Sequence, residues 1–147
     1  MIEIRRIICP IDFSSTSRRA ADYAAELART FAAELTLLHV IPELNYPLRS
    51  FGMASSFPHL HEELHKRADD ALLQEKVRLG PDVTIHTALR NGEAHAQVLE
   101  CAKAVGADII VIGTHGHTGL KHALLGSTAE RVVRLSDCPV LTVRSKE

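Results

Sequence analysis

A chain of 147 residues, 46% hydrophobic and 24% charged, is long enough to bury one sizeable core and too apolar for intrinsic disorder. Its formal net charge of −1, with acids and bases interspersed, argues against nucleic acid or an anionic membrane surface as a partner. No apolar run approaches the ~20 residues that cross a bilayer. Met1 to Asp12 lacks the charged-then-apolar order of a secretory leader, so a single cytoplasmic domain over residues 1–147 is expected.

Ile4 to Ile11 is a short β-rich apolar run ended by Asp12. Ser14, Ser15, Thr16 and Ser17 offer capping hydroxyls for a helix to about Ala33, with Ala20, Ala24, Leu27, Ala28 and Phe31 at helical spacing. Leu35 to Ile41 reads as a second buried strand, and Pro42 to Pro58, with Pro47 and Gly52, as a long loop. Leu60, Leu64, Ala68, Ala71 and Leu72 mark the inner face of a second helix, which Gly80-Pro81 stops. A third strand over Val83 to Leu89 turns at Asn91-Gly92 into a helix with Ala94, Val98, Ala102 and Val105 inward. Asp108 to Ile112 is a fourth strand, a helix runs from Ser127 to about Leu135, and Val140 to Val143 is the last strand. Cys9, Cys101 and Cys138 stand far apart within apolar segments and read as buried free thiols. Strands alternating with helices predict an α/β fold: one open parallel sheet, helices on both faces and right-handed crossovers. Periodicity leaves the strand order open.

Between the fourth strand and the last helix, Gly113, Gly116 and Gly126-Ser127 are spaced G-x2-G-x9-G-S, with Gly119 inside the loop. Glycine permits positive φ and close approach of the backbone to a ligand. The N–H groups and dipole at a helix start favour anionic oxygens, and Ser127 and Thr128 add two hydroxyls there. Such a loop is built to cradle phosphate. It is not a GxxxxGK[ST] loop, because Lys121 lies inside it rather than beside Gly126, and no GxGxxG opens the first strand–helix unit.

This spacing, with RRIICPIDFSSTSRRA, LTLLHVIPE and CPVLTVR elsewhere, resembles the ATP-binding branch of the universal stress protein family over essentially the whole chain. The resemblance implies strand order 3-2-1-4-5, a doubly wound sheet whose winding reverses between the first and fourth strands. Ligands of such sheets sit at the reversal, where Asp12 and Gly113 would meet. It further implies that Asp12, with Pro10 before it, accepts hydrogen bonds from ribose or adenine, and that the main chain of Val40 reads the adenine edge. Gly113, Thr114, Gly116, Gly126, Ser127 and Thr128 would surround the phosphates. Thr114, His115, His117, Lys121 and His122 are candidates to neutralise phosphate charge, and Asp12 is the candidate to hold Mg²⁺ through the nucleotide. His117 stands where many relatives carry arginine, which would make part of the affinity depend on pH. The expected protein is thus a nucleotide-switched sensor or regulator with slow or no hydrolysis, paired into a homodimer through its last strand.

Two other readings compete. A nucleotide hydrolase or phosphotransferase needs a positioned cation, a metal-binding carboxylate and a group that orients the nucleophile, of which the loop offers only part. His61-Glu62-Glu63-Leu64-His65 matches the H-E-x-x-H zinc signature, with His59 nearby, but no third ligand stands at the required offset. His59, His61 and His65 are therefore expected to form a solvated helix flank that binds metal adventitiously at most.

Overall fold

The structure, a computed structural model, describes residues 1–43, 58–115 and 125–146. The expected loop from Pro42 to Pro58, with Pro47 and Gly52, falls mostly outside them. Five strands form one parallel sheet: β1 (Arg6–Pro10), β2 (Glu34–Ile41), β3 (Ile85–Asn91), β4 (Ile109–Gly113) and β5 (Val140–Val143). Their order is β3-β2-β1-β4-β5, the doubly wound arrangement that the family resemblance implied. Among the described residues the helices are α1 (Ser15–Phe31), α2 (Pro58–Leu79), α3 (Ala94–Val105) and α4 (Ser127–Leu135).

The central strands read as continuous apolar runs because both faces of the sheet are covered. Side chains on a strand alternate between faces, and here the alternation separates two cores. Ile7, Cys9, Leu35, Leu37 and Val111 face α1 and α2, whereas Ile8, Leu38, Val98, Ile110 and Val132 form the core under α3 and α4. Burial of each large aliphatic side chain contributes about 1.5–3 kcal/mol. Ala20, Ala21, Ala24, Ala25 and Ala28 give α1 a thin inner face, so its backbone lies close to the sheet. Cys9 and Cys101 are buried free thiols and Cys138 is half-buried. Burial pushes the Cys9 thiol well above its usual range, which suppresses its thiolate.

Three boundaries differ from the sequence expectation, each for a physical reason. The helix expected to reach Ala33 ends at Phe31, because Ala32 takes a left-handed cap at φ 52° and Phe31 is left exposed. The third strand lies two residues later than its apolar pattern: Asn91 pairs with Ile41 and the Gly92 amide bonds the Ile41 carbonyl. On α2 the expected inner face is wrong at its start. Leu60 and Leu64 are exposed, and burial begins at Ala68 and continues through Leu72, Glu75 and Leu79. A helix of 22 residues is about 33 Å long, while the seven residues of β3 span about 23 Å. The first turns of α2 therefore overhang the sheet. Farther down, buried Glu75 is held by Arg78 and Arg18, and Arg78 also reaches Asp22, which ties α2 to α1. No helix among the described residues is long and apolar enough to cross a membrane.

The two strands that flank the winding reversal are pinned at their starts by one side chain. Asp108 Oδ2 accepts the Arg5 and Arg6 amides at 2.8 and 2.9 Å. Those amides hold its carboxyl below the ordinary carboxylate range. A carboxyl depressed in the folded state stabilises above its unfolded pKa of ~3.9, and that stabilisation is lost as pH falls through the folded value. Asp108→Asn is therefore expected to lower the melting temperature near neutrality, with the gap to wild type closing as pH falls below the ordinary carboxylate range. Melts recorded across that range check it, and a gap that persists at every pH contradicts it.

Candidate functional site

At the carboxyl ends of β1 and β4 the chain leaves the sheet toward opposite faces, and a crevice of about 410 Å³ opens between the two exits. That volume lies within the range of small-molecule sites. Pro10 and Asp12 line it from β1, Val40 from β2, Gly113 and Thr114 from β4, and Gly126, Ser127 and Thr128 from the start of α4. The structure thus brings together every described residue that the sequence assigned to the nucleotide, and His115 joins them. Gly116, Gly119, His117, Lys121 and His122 lie outside the described residues.

The β1 exit is closed on itself. Asp12 Oδ1 accepts the Ser14 amide at 3.0 Å and also the Ser14 hydroxyl. Ser14, rather than Asp12, is the N-cap of α1: its Oγ accepts the Ser17 amide at 3.2 Å. Ser17 Oγ in turn donates to the Ser14 carbonyl at 3.1 Å and accepts the Asp12 amide at 3.3 Å. Between Asp12 and Ser14 the chain turns through Phe13, a bulky residue at φ 65°. That left-handed geometry costs a non-glycine residue about 1–2 kcal/mol. His39 braces the turn from β2, its Nδ1 lying 2.7 Å from the Ile11 carbonyl and its ring 4.8 Å from that of Phe13. A carbonyl only accepts, so the imidazole carries its proton on Nδ1.

The β4 exit is clamped at Thr114, which is fully buried. Its amide donates to the Val143 carbonyl at 2.9 Å and its carbonyl accepts the Gly126 amide. Its Oγ1 lies 3.0 Å from His115 Nδ1. Both ends of the glycine loop are therefore held at one residue. Neither described glycine of the motif uses the positive φ that glycine permits; among the described residues the positive-φ glycines are Gly80, Gly92 and Gly106. A side chain at Gly113 would meet Thr16 at 3.0–3.2 Å, and one at Gly126 would meet the Thr114 carbonyl at 2.9 Å. Close backbone packing demands both glycines.

Three helix starts reach the crevice; α3, which begins at Ala94 behind Glu93, has no side-chain cap, and α1 and α4 differ electrostatically. α1 is capped by Ser14 and Asp12 leans on that cap. α4 begins at Gly126 with no side-chain cap, so the amides of its first turn face the crevice with the positive end of the helix dipole. An anionic group is favoured there. The histidines of the zinc-like signature lie elsewhere: the rings of His61 and His65 are 4.4 Å apart on α2, and His65 Nε2 is 3.0 Å from Asn91 Oδ1. Among the described residues no three His, Cys, Asp or Glu are grouped for a metal. Sequence reasoning missed Ser14, Ser17, Phe13 and His39 as parts of the site. Only the capping pattern at Ser14 signalled any of them.

A doubly wound sheet with a crevice at its reversal defines a large class of ligand-binding α/β proteins. Within that class the chain belongs to the universal stress protein family, whose model matches residues 3–144. Universal stress protein MJ0531 of Methanocaldococcus jannaschii is 36% identical over 95% of this chain and 82% of its own length. The solved structure of MJ0577, from the same organism, is 32% identical with a TM-score of 0.82 over 99% of both chains. The structure of the universal stress protein from Archaeoglobus fulgidus in complex with dAMP shares the fold, with a TM-score of 0.62 at 22% identity over 97% of this chain and 99% of that one.

The packing makes Gly126→Ala a structural variant first and a binding variant second. It is expected to cost about 1–3 kcal/mol of stability in urea titration. Ser127→Ala, on an exposed side chain, is expected to stay within about 0.5 kcal/mol of wild type. Equal stability of the two variants would show that the contact with the Thr114 carbonyl is not tight.

Proposed function

We propose that the crevice binds an adenine nucleotide, ATP with or without Mg²⁺, and that the protein acts as a nucleotide-switched sensor or regulator. The observation that carries this reading is the uncapped start of α4, opening into a crevice at the winding reversal. The first-turn amides and the hydroxyls of Ser127 and Thr128 suit phosphate oxygens. Gly113, Thr114 and Gly126 bring the backbone close, and Gly116, outside the described residues, would complete the loop. Asp12 and the main chain of Val40 suit ribose and adenine, and the half-buried Pro10 closes that wall. The dAMP complex of the Archaeoglobus fulgidus protein supports the reading at the level of fold.

Among the described lining residues Asp12 is the one carboxylate, and its Oδ1 is already engaged by Ser14. Binding with slow or no hydrolysis therefore fits better than turnover. A ligand shifts a conformational equilibrium only by its preference for one state, and the glycine loop, anchored at Thr114 and Gly126, is the segment placed to respond. Calorimetry and thermal melts test the proposal. At one hundred times its Kd, ATP adds about 2.7 kcal/mol to stability. Ser127→Ala with Thr128→Val should weaken binding about tenfold and leave the ligand-free melt in place. No heat on titration with millimolar ATP would end this reading.

The same proposal includes a homodimer through β5. This strand closes one edge of the sheet, and Leu141 and Thr142 are exposed on it. An uncovered edge presents unpaired main-chain groups that a second copy can satisfy. Light scattering should give a dimer for the wild type and a monomer for Thr142→Pro, whose ring removes a main-chain donor. A monomeric wild type at tens of micromolar would refute pairing.

A further inference from the structure

The β1–α1 turn, though hydrogen-bonded within itself, leaves two local needs that its own side chains do not meet. The β1–β2 ladder ends at the Pro10–Leu38 pair and a last bond from the Ile11 amide to the Leu38 carbonyl. Beyond it the Ile11 carbonyl belongs to a residue that is 3% exposed, and a buried carbonyl needs a partner. Phe13 then adopts a left-handed geometry that its side chain disfavours. Asp12 sits between these two positions.

One side chain answers both needs. His39 stands one residue past the end of the ladder to β1, donates from Nδ1 to the Ile11 carbonyl at 2.7 Å, and lays its ring 4.8 Å from Phe13. Its main chain is already placed by pairing with Leu89 of β3, so neither contact is needed to form β2. The imidazole is thus a brace from a rigid strand to a strained turn. A brace of this kind fixes the direction of the residue between its two points of contact.

We infer that His39, which itself lines the crevice, is a positioning residue: it holds the Asp12 turn in the form that faces the crevice, and acts on the ribose hydroxyls of the ligand through Asp12. The consequence for binding rests on the nucleotide reading above; the hold on the turn does not. His39→Leu removes the donor and the ring, whereas His39→Asn keeps a donor at the same distance from the backbone.

Amide hydrogen exchange reads the turn without any ligand. His39→Leu should speed exchange of the Ser14 amide, which bonds Asp12 Oδ1, by about tenfold, while amides of β1 hold their protection. His39→Asn should restore the Ser14 rate. Unchanged Ser14 exchange in His39→Leu overturns the inference, whatever the nucleotide does. Calorimetry then compares ATP with 2′,3′-dideoxyATP, which lacks the ribose hydroxyls. The expected result is an about tenfold loss of ATP affinity in His39→Leu with dideoxyATP changed less than about twofold, and recovery of ATP binding in His39→Asn. Equal losses for both compounds would mean that His39 touches the ligand or supports the fold at large, and would overturn the inference. A wild type that binds neither compound removes the nucleotide reading alone, because the exchange rates still decide whether His39 holds the turn.

Discussion

Two neighbouring parallel strands send their chains to opposite faces of one sheet, and the main-chain groups stranded at those exits must each find a partner. Most of the site is the set of solutions to that problem. At the β1 exit the partners are side chains: His39 for the Ile11 carbonyl, Asp12 for the Ser14 amide and Ser14 for the first turn of α1. At the β4 exit they are backbone: Val143 for the Thr114 amide and Gly126 for its carbonyl. The start of α4 has no side-chain cap, and that is where the crevice lies.

Close packing sets how narrow the crevice can be. The alanine face of α1 lets Thr16 approach Gly113 until no Cβ fits, and Gly126 comes as close to the Thr114 carbonyl. These contacts fix the distance between the two exits. A glycine motif that reads as a flexible cradle is therefore, at its two described corners, a rigid joint.

Much of the fold was legible because its cause is local. Apolar runs bounded by capping or turn residues located each strand and helix to within a few residues, and the Ser14 cap and the Gly80-Pro81 stop lie where the chain places them. The errors share a different cause. Leu60 and Leu64 have helical spacing yet are exposed, because α2 is longer than the strands it covers. The third strand runs past its apolar pattern because Ile41 offers a partner as far as Asn91 and Gly92. Periodicity reports which face a residue would turn inward. It does not report whether a neighbour is there.

The candidate site divides along the same line. Residue order alone determined that Gly113, Gly126, Ser127 and Thr128 would gather at a strand-to-helix junction, since that junction is continuous in the chain. The resemblance to a known family supplied the strand order that carries Asp12 to the same place. Only the tertiary structure decided that His39 spans from β2 to the β1 exit, and that the described motif glycines serve backbone contact rather than positive φ. Those facts depend on distances between segments brought together by β-pairing and helix packing, and a linear pattern of residue types contains no such distances.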